Sequence, residues 1–164
     1  MNTPNSWLIC EPTSRWAMAI RTAVSGDARF GDMPPRLREF RGLPEVAAAL
    51  AEAPQSLLWI EVSQSKLAPL LDWMPPLLER YPRCRAIAAL AQFDQSAAPM
   101  TSALLEAGFL EVVVSTRNLR AALDIACRHD QLAGTHRREE IARLSTRERV
   151  WAGLPWQANA GPLG

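Results

Sequence analysis

Ser56-Leu57-Leu58-Trp59-Ile60-Glu61-Val62 carries apolar side chains at both alternations of a strand. A strand of that kind must be covered on both faces, as strands buried in parallel sheets are. Near its end stands a carboxylate, Glu61. In open α/β sheets the carboxyl ends of the strands are where ligands and chemistry are mounted.

Working outward from this strand, the chain alternates. Trp7-Leu8-Ile9-Cys10 is a first apolar strand, ended by Glu11-Pro12. Thr13 or Ser14 then offers a hydroxyl cap for a helix reaching Val24, with Trp16, Ile20 and Val24 on one face. Gly26 to Pro35 reads as loop and Leu37 to Phe40 as the second strand. Pro44 suits the first turn of a helix that continues through the alanines up to Ala53. Beyond Val62, Leu67 to Arg80 has helical spacing, and Pro75-Pro76 is expected to kink or split it. Ala86 to Ala91 is strand four, and Met100 to Ala107 a helix stopped by Gly108. Leu110 to Val114 is strand five, and Arg117 to Asp130 the last long helix, which Gly134 is expected to break.

Five successive strand–helix units imply α/β architecture with helices on both faces of a parallel sheet. Right-handed crossovers favour the flavodoxin-like (βα)5 doubly wound order 2-1-3-4-5. The expected division is a domain over residues 1–132 and a short helical, then irregular, tail over 133–164. That tail carries five arginines against three glutamates, so it is mildly basic.

Composition narrows the function. In 164 residues, 48% are apolar and 21% charged, enough for a normal core. A net charge of +1 gives no global attraction to nucleic acid or anionic membrane. Cys10, Cys84 and Cys127 are odd in number and lack CxxC spacing, which argues against a disulfide scaffold or zinc site and fits a reducing cytoplasm. No basic segment followed by an apolar stretch marks a signal peptide, and no apolar run approaches the roughly 20 residues that cross a bilayer. His129 and His136 lie in or beyond the last helix. Neither pairs with a cysteine at a spacing that makes a nucleophile. No cofactor is expected.

Two stretches carry a family resemblance. Leu105-Glu106-Ala107-Gly108-Phe109-Leu110-Glu111-Val112-Val113-Val114-Ser115 follows the pattern A-x-x-A-G-A-D-D-Y-[LI]-x-K, and Ser56 to Ser65 resembles D-[LV]-[VI]-[LI]-[LM]-D-x-x-[ML]-P. On these, roughly residues 6 to 131 resemble a response-regulator (CheY-like) receiver domain. The resemblance implies an acidic metal-binding pair after strand one, a nucleophilic aspartate after strand three, a Ser or Thr after strand four and a lysine after strand five. Here the acidic pair reduces to Glu11 and the nucleophile position is Glu61. The hydroxyl position is Ala91, and the lysine position is Ser115, followed by Thr116 where a proline is usual. The responsive aromatic is Val112. Arg117 follows closely, but its register gives no reason for it to replace the lysine.

Phosphotransfer relies on positioning and charge compensation by a cooperating set, so several simultaneous losses are expected to abolish it. A phosphomimetic role for Glu61 needs a responding hydroxyl and lysine, and neither is present. The expectation is therefore a degenerate pseudo-receiver. It is neither an enzyme nor a metal protein, and it acts by protein–protein contact in cytoplasmic signalling or scaffolding. The helix 4–strand 5–helix 5 face would be its docking or homodimer surface. Trp151, Leu154, Pro155 and Trp156 would form a second contact, or a latch on its own domain, since tryptophan is a typical interface anchor. The alternatives are an active or phosphomimetic response regulator using Glu61, or a small-molecule-binding flavodoxin-like domain. Leu144-Ser145-Thr146-Arg147-Glu148-Arg149-Val150 also resembles the opening of a LuxR-type helix-turn-helix. The segment after Arg149 contains Gly153, Pro155, Gly161 and Pro162 and has no room for a recognition helix, so DNA binding is not expected.

Overall fold

The structure, a computed structural model, describes residues 6–30, 34–91 and 97–152, without the side chains of 137, 140, 141 and 144–152. The elements are β1 (Ser6–Cys10), α1 (Arg15–Ser25), β2 (Arg36–Phe40), α2 (Leu43–Glu52), β3 (Leu57–Val62), α3 (Leu67–Arg80), β4 (Arg85–Leu90), α4 (Ala98–Glu106), β5 (Glu111–Val113) and α5 (Arg120–Ala152). The strands form one sheet in the order β2-β1-β3-β4-β5, and each pairing is parallel. This is the flavodoxin-like order expected from the alternation.

Strand periodicity divides the core in two. Leu8, Leu58, Ile60, Ala88 and Leu90 point to one face, where α2, α3 and α4 supply Val46, Leu50, Leu70, Met74 and Leu104. Trp7, Ile9, Leu57, Trp59 and Ile87 point to the other, against Trp16, Ile20 and Val24 of α1 and Leu123 and Ala126 of α5. Trp7 and Trp59 lie with ring centroids 6.0 Å apart, and Phe30 meets Trp7 edge-on at 5.5 Å. The Trp7 indole Nε1 donates to the Asp130 carboxylate at 3.1 Å, tying α5 to β1.

Some local expectations fail for identifiable reasons. Pro75 and Pro76 do not split α3. Both sit on its exposed side while Leu70, Met74 and Leu77 face the sheet, so the carbonyls they leave unpaired face solvent. Strand β5 is shorter than Leu110–Val114. The Leu110 N–H still donates to Ala86 O at 2.8 Å, but the Leu110 and Val114 side chains are exposed. Gly108 ends α4 as expected, with φ of 100°, and a Cβ there would lie 2.5 Å from Leu78 Cδ1. Gly134 does not end α5, which continues to Ala152. An interior glycine costs only about 1 kcal/mol against alanine. Without a left-handed turn, that is not enough to stop a helix. Thr135 Oγ1 donates to Gln131 O and Arg138 Nε to Gly134 O, both within the helix. The chain divides into two units, Met1–Asp130 and Gln131–Gly164.

Candidate functional site

The carboxyl ends of β1 and β3 adjoin where the strand order reverses, so Glu11 and Glu61 are brought to one place. Both continue the set of side chains that faces α1 and α5, because each follows Ile9 or Trp59 by two residues.

Glu11 is 1% exposed. Its Oε2 accepts from the Trp16 N–H at 2.8 Å and its Oε1 from the Ala17 N–H at 2.6 Å. It thus caps α1, with both oxygens on the helix's open donors. This corrects the expectation that Thr13 or Ser14 does so. Ser14 occupies the N-cap position but in left-handed geometry, φ 58° and ψ 14°, and makes no side-chain cap bond. Its hydroxyl is turned instead to Glu39 Oε2 at 2.7 Å.

Glu61 is half-buried. Its carboxyl is pushed above the usual range, chiefly by desolvation and secondarily by Glu11, while Arg15 and Lys66 pull it back down. The Trp16 indole also lowers it slightly, although Trp16 Nε1 is buried without a partner at hydrogen-bonding distance. Arg15 lies over the Trp16 ring at 5.0 Å and donates through Nη2 to Leu90 O at 3.3 Å. Glu61 is therefore a carboxylate whose desolvation outweighs the pull of Arg15 and Lys66.

At two of the remaining receiver-equivalent positions the structure shows local contacts. Ala91 donates its backbone N–H to Val62 O at 2.9 Å, which extends the sheet. The Ser115 hydroxyl accepts from the Arg117 N–H at 3.2 Å, a local turn contact. Arg117 lines a groove with Met18, Thr22 and Leu123, between α1 and α5, and does not reach the strand-end crevice. Trp151 belongs to α5, but its side chain, like Leu154, Pro155 and Trp156, lies outside the described residues.

Magnesium, which a phosphorylated receiver uses, needs several oxygen ligands in near-octahedral geometry. The residues here do not fit it. Both Glu11 oxygens are taken by backbone N–H groups, and Glu61 sits among cations. Among the described residues no group of three or more His, Cys, Asp or Glu could hold a metal.

A crevice of about 310 Å³ opens beside this place, on the α2–α3 side, reaching Cys10, Ile60 and Leu70. Its charged rim is Arg41 and Lys66 opposite Glu61. Arg41 is fixed by donating to Glu11 O at 2.8 Å and to Ser14 Oγ at 3.0 Å. Sequence reasoning missed these cations, because the resemblance directs attention to a lysine after β5. A signal was present. Arg41 directly follows β2, and Lys66 lies in the short connection after β3, both at carboxyl ends of strands.

No family model matches the chain, and no curated protein matches it. Similarity is found with solved structures. A response regulator from Thermotoga maritima is 15% identical, with a TM-score of 0.60 over 79% of this chain and 99% of that one. A CheY-like protein, TadZ, from Pseudomonas aeruginosa PAO1 is 14% identical, with a TM-score of 0.56 over 76% of this chain and 92% of that one. At such identities the likeness establishes the fold. The domain has a receiver-like fold.

Proposed function

We propose that the chain is a pseudo-receiver that signals or scaffolds by contact with another protein, without taking up phosphate. The observation that carries this is the double acceptance of backbone N–H groups by Glu11. The acidic residue a receiver would give to metal is used here to start a helix. Ala91 and Ser115 add the loss of the hydroxyl and lysine that would compensate phosphoryl charge.

The contact surface is the α4–β5–α5 face, where Leu105 is 46%, Leu110 44% and Val114 59% exposed. Large apolar side chains exposed together mark interaction sites more often than scattered ones do. The tail from Trp151 to Trp156 provides a second contact.

Incubation with acetyl phosphate and Mg²⁺, followed by intact mass measurement, should give no phosphoryl adduct. A stable adduct lost in Glu61→Gln overturns the reading. A photo-crosslinking residue at Val114 should capture a partner, or a second copy, that one at Arg36 on the opposite sheet edge does not. Equal capture from both positions removes the face from the proposal. Truncation after Arg143 that leaves all captured partners unchanged removes the tail.

A further inference from the structure

We infer that the crevice between the start of α2 and the β3–α3 connection binds a small organic anion, a single carboxylate or phosphate monoester on an apolar body. The residues lining the space set the class of ligand. The crevice lies outside the carboxyl ends of β1 and β3, at the strand-order reversal where open α/β sheets take their ligands. At about 310 Å³ it is at the small end of ligand sites. Leu43, Ile60, Pro69 and Leu70 give it an apolar lining.

Its polar groups are mostly cationic or donors. Arg41 is held in place by two hydrogen bonds to the β1–α1 connection, so its position is set before any ligand arrives. Lys66, on the opposite wall, makes no side-chain hydrogen bond or ion pair within the described residues. α2 begins at Gly42, which has extended backbone (φ −147°, ψ 156°) and no side chain to cap the helix. Pro44 has no N–H and Glu45 turns its carboxylate back to the Arg41 N–H at 2.9 Å, so the donors this helix start leaves open beside the crevice are those of Leu43 and Glu45.

Two carboxylates also line the space, and one of them, Glu11, is already engaged. Glu11 has its oxygens on Trp16 and Ala17, and Glu61 belongs to the strand face that meets Arg15 and Trp16. Against the Glu61 carboxylate the crevice therefore sets Arg41, Lys66 and the start of α2, above an apolar floor. Inorganic phosphate satisfies only the cations and the helix start, and a neutral hydrocarbon only the floor.

The test is an amide-resolved NMR titration of the full chain with phenyl phosphate and benzoate as probes, and benzamidine and inorganic phosphate as controls. Shifts are expected at Arg41 to Glu45 and at Ser65 to Leu70, with either probe binding at least fivefold tighter than both controls. Phenyl phosphate ahead of benzoate identifies a phosphate monoester, and the reverse order a carboxylate. Gly42→Asp places a carboxylate over the Leu43 and Glu45 N–H groups, Pro44 having none. The added Cβ meets only Pro44 Cδ at an ordinary 3.5 Å. This variant should melt no lower than the parent yet bind the better probe at least tenfold more weakly. Lys66→Gln should weaken binding severalfold, and Glu61→Gln should strengthen it. The inference is overturned if no probe binds, if benzamidine binds as tightly as the anions, if the shifts fall elsewhere, or if Gly42→Asp leaves affinity unchanged.

Discussion

Helices α1 and α2 both begin at the carboxyl edge of the sheet, and they begin in opposite ways. α1 starts on a buried carboxylate that reaches back from β1 and closes two of its open N–H groups. α2 starts on a glycine with no cap, beside a crevice. The dipole has the same sense at both, but α1 offers the N–H groups of Trp16 and Ala17, whereas Pro44 has none and α2 offers those of Leu43 and Glu45. Whether they are structural or available to a ligand depends on whether the chain supplies its own anion. At α1 it does, using the residue that would otherwise be read as a metal ligand.

The largest effect should come from breaking the closed helix start. Glu11→Ala removes two hydrogen bonds to a charged acceptor and leaves two buried N–H groups without a partner. About 3 kcal/mol of stability should be lost in urea unfolding, and about half of that in Glu11→Gln, whose amide oxygen still accepts one bond. If Glu11 were instead a metal ligand, stability without metal would be unchanged or higher in Glu11→Gln. That result breaks the comparison.

How far such a distinction is legible in sequence depends on distance along the chain. The five strands and their order follow from apolar runs and alternation, which are local patterns under one global constraint. Gly108 as a helix stop was also readable, since only glycine fits its left-handed backbone and the Leu78 contact. The cap of α1 was not. Ser14 has the composition of a cap, but its φ of 58° aims the hydroxyl at Glu39 on β2, a residue placed there only by the β1–β2 pairing. Gly134 and Pro75-Pro76 misled for the opposite reason. Their local penalties are real, but small or relieved by solvent on an exposed face. Arg41 and Lys66 come to one crevice, and Arg15 and Lys66 act on one carboxylate, only in three dimensions, and a family pattern that expects its cation after β5 draws attention away from them.

Acid should set the crevice edge apart from the opposite end of the sheet by a smaller effect. Glu61 has a raised carboxyl, so its protonated form is favoured in the folded state. The resulting stability is present below its unfolded pKa of about 4.3 and lost as pH rises through the folded value. Glu61→Gln should therefore be slightly more stable than the parent at pH 7, with the advantage fading on acidification. His129, at the far end of the sheet, runs in the opposite sense. Burial depresses its pKa, and Nε2 bonds Gln55 O at 2.8 Å, the neutral ring donating. Its contribution is present above about pH 6.5 and declines as pH falls toward the folded value. His129→Gln should flatten the stability profile just below pH 6.5 and leave the Glu61 portion in place. A double variant whose pH profile is not the sum of the two single changes would show that the two groups are coupled. In that case the crevice edge could not be treated as an independent site.

The smallest effect is at the open helix start. Glu45, in the first turn of α2, already accepts from the Arg41 N–H at 2.9 Å, so part of a capping arrangement exists without its N-cap side chain. Gly42 has the extended backbone that a capping aspartate adopts. Gly42→Asp should then stabilise the protein by only a few tenths of a kcal/mol, because glycine is itself a tolerable N-cap. The sign matters more than the size. Stabilisation means the α2 donors were open and could be filled by a carboxylate, the same chemistry Glu11 performs at α1. Destabilisation would mean that the new carboxylate meets Glu61 and Glu45 more strongly than it meets the helix. The crevice would then repel anions, and the contrast between the two helix starts would be one of packing alone.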